Sequence, residues 1–260
     1  MDGRPALRAI LLGASNLALA LPLGVDGLRR RAGGPVEALA ACGQGRSFGT
    51  WSRFFFVRGL PGILDCGLWR ELDRLPPLPT VALVTDVGND LIYGVDAATV
   101  ASWVETCLGR LADQGAETVL TLLPLPRIER LTPGQYLVAR SILFPGRNVP
   151  WPRLQAEARE LDARLRRIGA ERGVHLVEPE ASWYGIDPIH VRRSLRPEAW
   201  NRVFSLWPLA SAGLSGRESS LPGRCRPSLF GTACFRLFGA EFRRPQPALR
   251  LDDGTTLSLF

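Results

Sequence analysis

The stretch Ala6-Leu7-Arg8-Ala9-Ile10-Leu11-Leu12-Gly13-Ala14-Ser15-Asn16 decides the fold. It has two readings that exclude each other. In one, Arg4 and Arg8 are the basic start of a signal peptide, the apolar run from Ala9 to Leu23 is its hydrophobic part, and Ala18-Leu19-Ala20 is a small-residue cleavage site. In the other, Ala6 to Leu12 is a buried strand that runs into a tight turn at Gly13-Ala14-Ser15-Asn16.

The two stay open until Ser15 has a role, but the rest of the chain shows where such a strand would belong. Apolar runs of similar length recur at residues 36–41, 81–85, 118–123 and 174–177. Continuous runs of this length suit strands covered on both faces, as in a parallel sheet between helices. Helical patterns lie between them. Asp96 can cap a helix over residues 97–114, with Val100, Val104, Cys107, Leu108 and Leu111 on one face and Gly115 as a left-handed terminator. Pro152 opens a second helix, whose apolar stripe is Leu154, Ala158, Leu161, Leu165 and Ile168. Pro197 opens a third, with Trp200, Val203, Phe204 and Trp207 facing inward. Strand–helix alternation over residues 1–210 predicts an α/β domain, a three-layer α/β/α sandwich. In such sheets ligands bind beyond the carboxyl ends of the strands. That edge would carry residues 13–16, 42–45 and 86–90 and the segment after Val177. Residues 211–260 form an extension: 211–227 is a Gly/Ser/Pro/Arg linker, 230–242 is apolar and aromatic, and 248–259 has the pattern of a small β-hairpin turning at Asp252-Asp253-Gly254. No function is assigned to it.

Composition excludes several classes. A chain of 260 residues, 46% hydrophobic and 22% charged, is neither disordered nor a small disulfide scaffold. Its five cysteines include no CxxC pair, and two histidines cannot make a histidine-rich metal site, so neither metal nor other cofactor is expected. No run is long and pure enough to span a bilayer. All 32 basic residues are arginine and the net charge is +7, which invites a nucleic-acid reading. Residues 1–210, however, carry 25 Arg against 21 Asp plus Glu, and Glu160/Arg164 and Asp162/Arg166 stand at helical pairing distance. Residues 211–260 carry 7 against 4, with Arg224, Arg226, Arg243 and Arg244 close in sequence. A polyanion partner is thus confined to a question about the tail, and no nucleic acid is expected.

Chemistry concentrates at four strand ends. In Asp187-Pro188-Ile189-His190 a carboxylate three residues before a histidine can reach its Nδ1–H, fix the tautomer and leave Nε2 as a base. His175 sits inside an apolar strand and reads as structural, so if a histidine base is used, His190 is the one to choose. Gly13-Ala14-Ser15 puts an exposed hydroxyl and an N–H at the end of the first strand. Gly88-Asn89-Asp90 offers a side-chain amide donor, and Gly43 a close backbone approach. Other motifs fail in detail. Gly43-Gln44-Gly45-Arg46-Ser47-Phe48-Gly49 has Phe48 where a dinucleotide fingerprint needs its third glycine, and Leu17 stands where G-x-S-x-G needs its second.

In order, Gly-x-Ser, Gly, Gly-x-Asn-Asp and Asp-x-x-His resemble the blocks of the SGNH (GDSL-like) hydrolase superfamily, over about residues 7–209. The resemblance implies a flavodoxin-like fold with a five-stranded parallel sheet and an esterase acting on a carboxylic ester. It implies Ser15 as nucleophile, His190 as general base and acid, and Asp187 as its orienter. It implies an oxyanion hole from the Ser15 N–H, the Gly43 N–H and the Asn89 side chain. The chain departs from the family in having Ala14 where an Asp usually precedes the serine, so hydrogen bonding near the nucleophile must differ. Asp90 is expected to shape its turn. Because cleavage after Ala20 would remove Ser15, the resemblance also favours an uncleaved, cytoplasmic chain.

Two insertions would set the substrate. Residues 46–79 carry Trp51, Phe54, Phe55, Phe56 and Trp69, and residues 124–151 carry Tyr136, Phe144 and Trp151. Such aromatics suit acyl chains or sugar faces of a small-molecule, carbohydrate or lipid ester, and equally suit packing together or against a second copy in a homo-oligomer. Two readings from other classes stay open: a catalytically silent α/β binding module and an arginine-rich nucleic-acid binder.

Overall fold

The computed structural model describes residues 4–54, 58–209 and 231–260. The chain folds as a three-layer α/β/α sandwich. β1 (Leu7–Leu12) leads into α1 (Ser15–Ala32), so the opening stretch is strand, turn and helix. There follow β2 (Val36–Ala41), β3 (Ser52–Phe54), β4 (Arg58–Leu60), α2 (Leu68–Leu72), β5 (Thr80–Val84), α3 (Asn89–Ile92), α4 (Ala97–Asp113) and β6 (Glu117–Thr121). Then come α5 (Leu125–Glu129), α6 (Pro133–Leu143), α7 (Trp151–Arg172), β7 (His175–Val177) and α8 (Arg196–Phe204). The chain closes with β8 (Cys234–Leu237), β9 (Ala240–Arg243), β10 (Leu249–Arg250) and β11 (Thr256–Leu259).

Five parallel strands stand in the order β2-β1-β5-β6-β7, the flavodoxin-like order with its reversal beside β1. β1 shows why its run is apolar throughout. Leu7, Ala9 and Leu11 face a layer made by Leu17, Leu21, Val25 and Leu28 of α1 and Trp200 and Phe204 of α8. Ile10 and Leu12 face Val100, Val104, Leu108 and Leu111 of α4 and Leu161 and Leu165 of α7. Successive side chains thus enter opposite cores, as a period of two requires. Arg8 is the exception. It is buried at the amino end of β1, where Nε lies 2.6 Å from Glu37 Oε2 and Nη2 donates to Pro76 O.

The helix signals have the predicted forms. Asp96 accepts the Thr99 N–H at 2.8 Å, and Gly115 takes φ +64° just past the end of α4. The inward face of α8 is core, with Phe204 and Trp207 stacked at 5.0 Å between ring centres.

The sheet is wider than five strands. β10 and β11 pair antiparallel, and β11 runs parallel to β2, extending the sheet to the order β10-β11-β2-β1-β5-β6-β7. The hairpin therefore covers an edge that β2 would otherwise expose. Asp253 in its turn pairs with Arg29 of α1, with Arg29 Nε at 2.9 Å. A second, antiparallel sheet, β3-β4-β8-β9, joins the first insertion to the aromatic segment, with Phe235 and Phe242 stacked at 5.3 Å. The expected linker, including Arg224, Cys225 and Arg226, and the aromatics Phe55 and Phe56 lie outside the described residues.

Phe204 is fully buried between α1 and the sheet. Phe204→Ala should destabilise the protein by about 3–5 kcal/mol. The half-exposed Leu206 should cost under about 1 kcal/mol on the same change. Urea unfolding of the two variants measures the difference.

Candidate active site

The turn after β1 is shaped by crowding. A Cβ on Gly13 would lie 2.7 Å from Thr85 Cγ2. The chain therefore approaches β5 closely and enters α1 at once, with Ser15 as its first residue. Ala14, at the cap position, has no side chain with which to cap the helix. A carboxylate from the neighbouring strand does this instead. Asp86 Oδ2 accepts the N–H of Ala14 at 2.9 Å and of Leu17 at 3.1 Å. Asp86 itself holds a left-handed φ of +60° just beyond β5, a conformation Asp tolerates better than most residues.

Asp86 Oδ1 also accepts Asn16 Nδ2 at 2.9 Å. Asn16 in turn spans to the loop before α8: Nδ2 donates to Ile189 O at 2.8 Å, and Oδ1 accepts the Val191 N–H at 2.9 Å. These two bonds bracket His190. The consequence is visible in the neighbouring pair, Ser15 Oγ at 2.9 Å from His190 Nε2. On the far side of the ring, His190 Nδ1 lies 2.6 Å from Asp187 Oδ2. Asp187 Oδ1 accepts the Ile189 and His190 N–H groups at 3.1 and 3.2 Å. Partial burial alone would raise the Asp187 carboxyl. The hydrogen bond and charge of His190, with those two N–H groups, hold it below its ordinary value.

Asn89 opens α3, and its Nδ2 is buried with no hydrogen-bond partner. An amide donor left in that state is costly unless a ligand completes it. Beside it, Asp90 is fully buried, and Oδ2 accepts the Phe48 N–H at 2.9 Å, tying α3 to the loop after β2. Burial pushes the Asp90 carboxyl up to about 6, against the pull of the Phe48 N–H and the Ser47 hydroxyl. In that loop a Cβ on Gly43 would lie 2.4 Å from Leu60 Cδ1, so a larger residue there would have to displace the end of the Leu60 side chain of β4.

Two cavities meet at this point. One, of about 130 Å³, is lined mainly by apolar side chains, among them Leu91, Leu123, Tyr136, Trp151 and Trp183. The other, of about 490 Å³, is lined by His190, Asp187, Gln44, Gly45, Arg53 and Arg147 among others. Ser15 and Asn89 belong to both. Of the predicted residues, the structure thus gathers Ser15, Asn89, Asp187 and His190. From the Gly43 turn, Gln44 and Gly45 are the residues that line the cavity. Tyr136, Phe144 and Trp151 of the second insertion line the apolar cavity. Trp51 and Trp69 of the first stack instead against Arg236 and Arg110.

His175 is at the opposite end of the sheet. It is half-exposed rather than enclosed in its strand, and Nε2 pairs with Glu117, the first residue of β6. Apolar neighbours in the sequence suggested burial, but β7 is an edge strand. Asp86 and Asn16 escaped the sequence reading. The one signal for them was Ala14, which leaves the helix start in need of a carboxylate from elsewhere. Cys42, next to the site in sequence, has its thiol pushed up to about 12 by burial, so it is not a thiolate nucleophile. Among the described residues, no helix is long and apolar enough to cross a membrane.

No protein-family model matches the chain, and no curated protein does. Among solved structures it is similar to the psychrotrophic esterase EstA from Pseudoalteromonas sp., at 14% identity over 76% of this chain and 94% of that one, with a TM-score of 0.48. It is similar to TesA at 17% identity over 76% and 97% of the two chains, with a TM-score of 0.47. It is also similar to the acetyl xylan esterase AlAXEase at 14% identity over 76% and 98%, with a TM-score of 0.44.

Two outcomes are expected of this geometry. Asp86→Ala strips the start of α1 of its carboxylate and should lower stability by about 1–3 kcal/mol, measured by urea unfolding. Asp90 binds a proton in the fold that the unfolded chain has released between about pH 4 and 6. Its contribution therefore makes stability fall as pH rises through that window. Asp90→Asn should remove that part of the slope, as read from melting temperature against pH.

Proposed function

We propose that the protein is a serine hydrolase of the SGNH (GDSL-like) superfamily that cleaves a carboxylic ester. The observation that carries this reading is the hydrogen-bonded chain Asp187–His190–Ser15, at 2.6 and 2.9 Å, with the buried, unpartnered amide of Asn89 in the wall of the same two cavities as Ser15. A hydroxyl, a base and an orienter in sequence make an activated nucleophile. An unpaired amide donor in the same cavity supports a role in meeting the charge that the attack creates.

The steps follow from these atoms. His190 Nε2 takes the Ser15 proton as Oγ attacks the ester carbonyl carbon. The carbonyl oxygen becomes an oxyanion, which the Asn89 amide and the Ser15 N–H receive. Asp187, held as a carboxylate, stabilises the imidazolium. When the carbon–oxygen bond to the alcohol breaks, His190 returns the proton to the departing oxygen. Water, deprotonated by the same Nε2, then attacks the acyl carbon; the bond to Ser15 Oγ breaks, His190 returns the proton to Oγ, and the acid leaves. Asp86 and Asn16 take no part in proton transfer. They hold the first residue of α1 and the His190 loop in one frame, replacing the carboxylate that Ala14 lacks.

Turnover of p-nitrophenyl acetate tests the reading. Ser15→Ala and His190→Ala should each lower kcat by about 10⁴-fold or more. Asn89→Ala should lower it by about 10²–10³-fold, and Asp187→Asn less than the loss of the base. Undiminished activity in Ser15→Ala, with the fold intact by circular dichroism, overturns the mechanism.

A further inference from the structure

The two cavities are unequal in a way that assigns the halves of the substrate. If Ser15 and His190 act as proposed above, on which this inference rests, the acyl group stays on Ser15 while the alcohol oxygen must lie against His190 Nε2. The cavity that contains His190 therefore takes the alcohol, and the cavity that shares Ser15 and Asn89 but not His190 takes the acyl group.

Their chemistry differs accordingly. The acyl cavity is apolar and, at about 130 Å³, close to an engineered apolar cavity of about 150 Å³ that holds benzene. It thus suits an acyl chain of roughly 4–6 carbons. The alcohol cavity also has apolar walls, including Leu19, Ile142 and Phe144, but it adds two cations that the acyl cavity lacks. Arg53 enters it from β3, and Arg147 from the segment after α6. Neither has a carboxylate within ion-pair distance among the described residues, so each guanidinium in this wall is without a counter-charge. The cavity has one carboxylate in its wall, Asp187, already engaged by His190. Arg147 is held by stacking, its guanidinium carbon 4.7 Å from the centre of the Tyr93 ring. That ring is anchored by its hydroxyl, which donates to Gly45 O. A guanidinium supported on an aromatic face keeps its N–H edge for a ligand.

We propose that the alcohol half of the substrate carries an anion, a carboxylate or a phosphate, bound by Arg53 and Arg147. These residues would set specificity rather than perform the chemistry. Two pairs of esters test it: the butyryl esters of 4-hydroxybenzoate and of its neutral amide, and butyryl glycerol phosphate and butyryl glycerol. The first pair carries carboxylate and the second phosphate, so the larger preference identifies the anion. For at least one pair, kcat/KM should favour the anionic ester by about tenfold, mostly through KM, and the preference should shrink as ionic strength rises. The double variant Arg53→Gln/Arg147→Gln should lose most of that preference, and Arg53→Lys/Arg147→Lys should retain part of it. Equal or reversed preference in both pairs overturns the proposal while leaving the hydrolase reading intact, because the neutral esters are still cleaved. So does an unchanged preference in the Gln double variant. No turnover of any of the four esters overturns this proposal, and it overturns the hydrolase reading as well only if p-nitrophenyl acetate is also left uncleaved.

Discussion

The carboxylate of Asp86 is the contact on which the site depends. It takes two backbone N–H groups at the start of α1 and the side-chain amide of Asn16, all within 3.1 Å. A negative charge at a helix N-terminus meets the positive end of the helix dipole as well as unpaired donors, an interaction worth about 0.3–2 kcal/mol beyond the hydrogen bonds. It offsets the left-handed backbone of Asp86, a strain on the order of 1–3 kcal/mol. Through Asn16 the same charge reaches the loop that carries His190. Three segments far apart in sequence, at 13–16, 86–90 and 187–191, are thereby locked at one strand end. The Ser15–His190 distance is a consequence of that lock rather than of either residue alone.

The parts that were legible in the sequence are those whose signal is local. The apolar run of Leu7–Leu12 announces burial on both faces, and Asp96 announces the start of α4. Asp187 and His190 are three residues apart, so their contact is nearly a property of the loop. What was hidden depends on partners chosen across the chain. The pattern of residues 248–259 identifies a hairpin, but not that β11 lies in register beside β2, because period-two burial says which face is apolar and not which strand is the neighbour. The small sheet joins β4 to β8 across more than 170 residues, for the same reason out of reach. Asp86 reads as an ordinary turn residue until β5 is placed next to β1. His175 does lie in a strand, β7, but its apolar context does not distinguish a central strand from an edge.

The arginine surplus also changes meaning in three dimensions. Arg164 and Arg166 pair with Glu160 and Asp162 one helical turn away, and Arg166 reaches Glu178 as well. The exposed pairs, Arg164–Glu160 and Arg166–Glu178, contribute little stability, about 0–1 kcal/mol each, but they neutralise charge on the helix face that a polyanion would need. Arg46 is different. It is fully buried and donates to Pro61 O and Phe260 O, knitting the loop after β2 to the last strand. Positive charge therefore serves surface pairing in one place, loop architecture in another, and the wall of the larger cavity in a third. The net charge alone separates none of these.

The central claim is that Ser15 is the activated hydroxyl of this fold. Reaction with a fluorophosphonate, followed by peptide mapping of the adduct by mass spectrometry, tests it most directly. The account predicts a single phosphonyl group on the peptide containing Ser15, absent from folded Ser15→Ala and strongly slowed in His190→Ala. An adduct on another serine, or one that persists in Ser15→Ala, would contradict it.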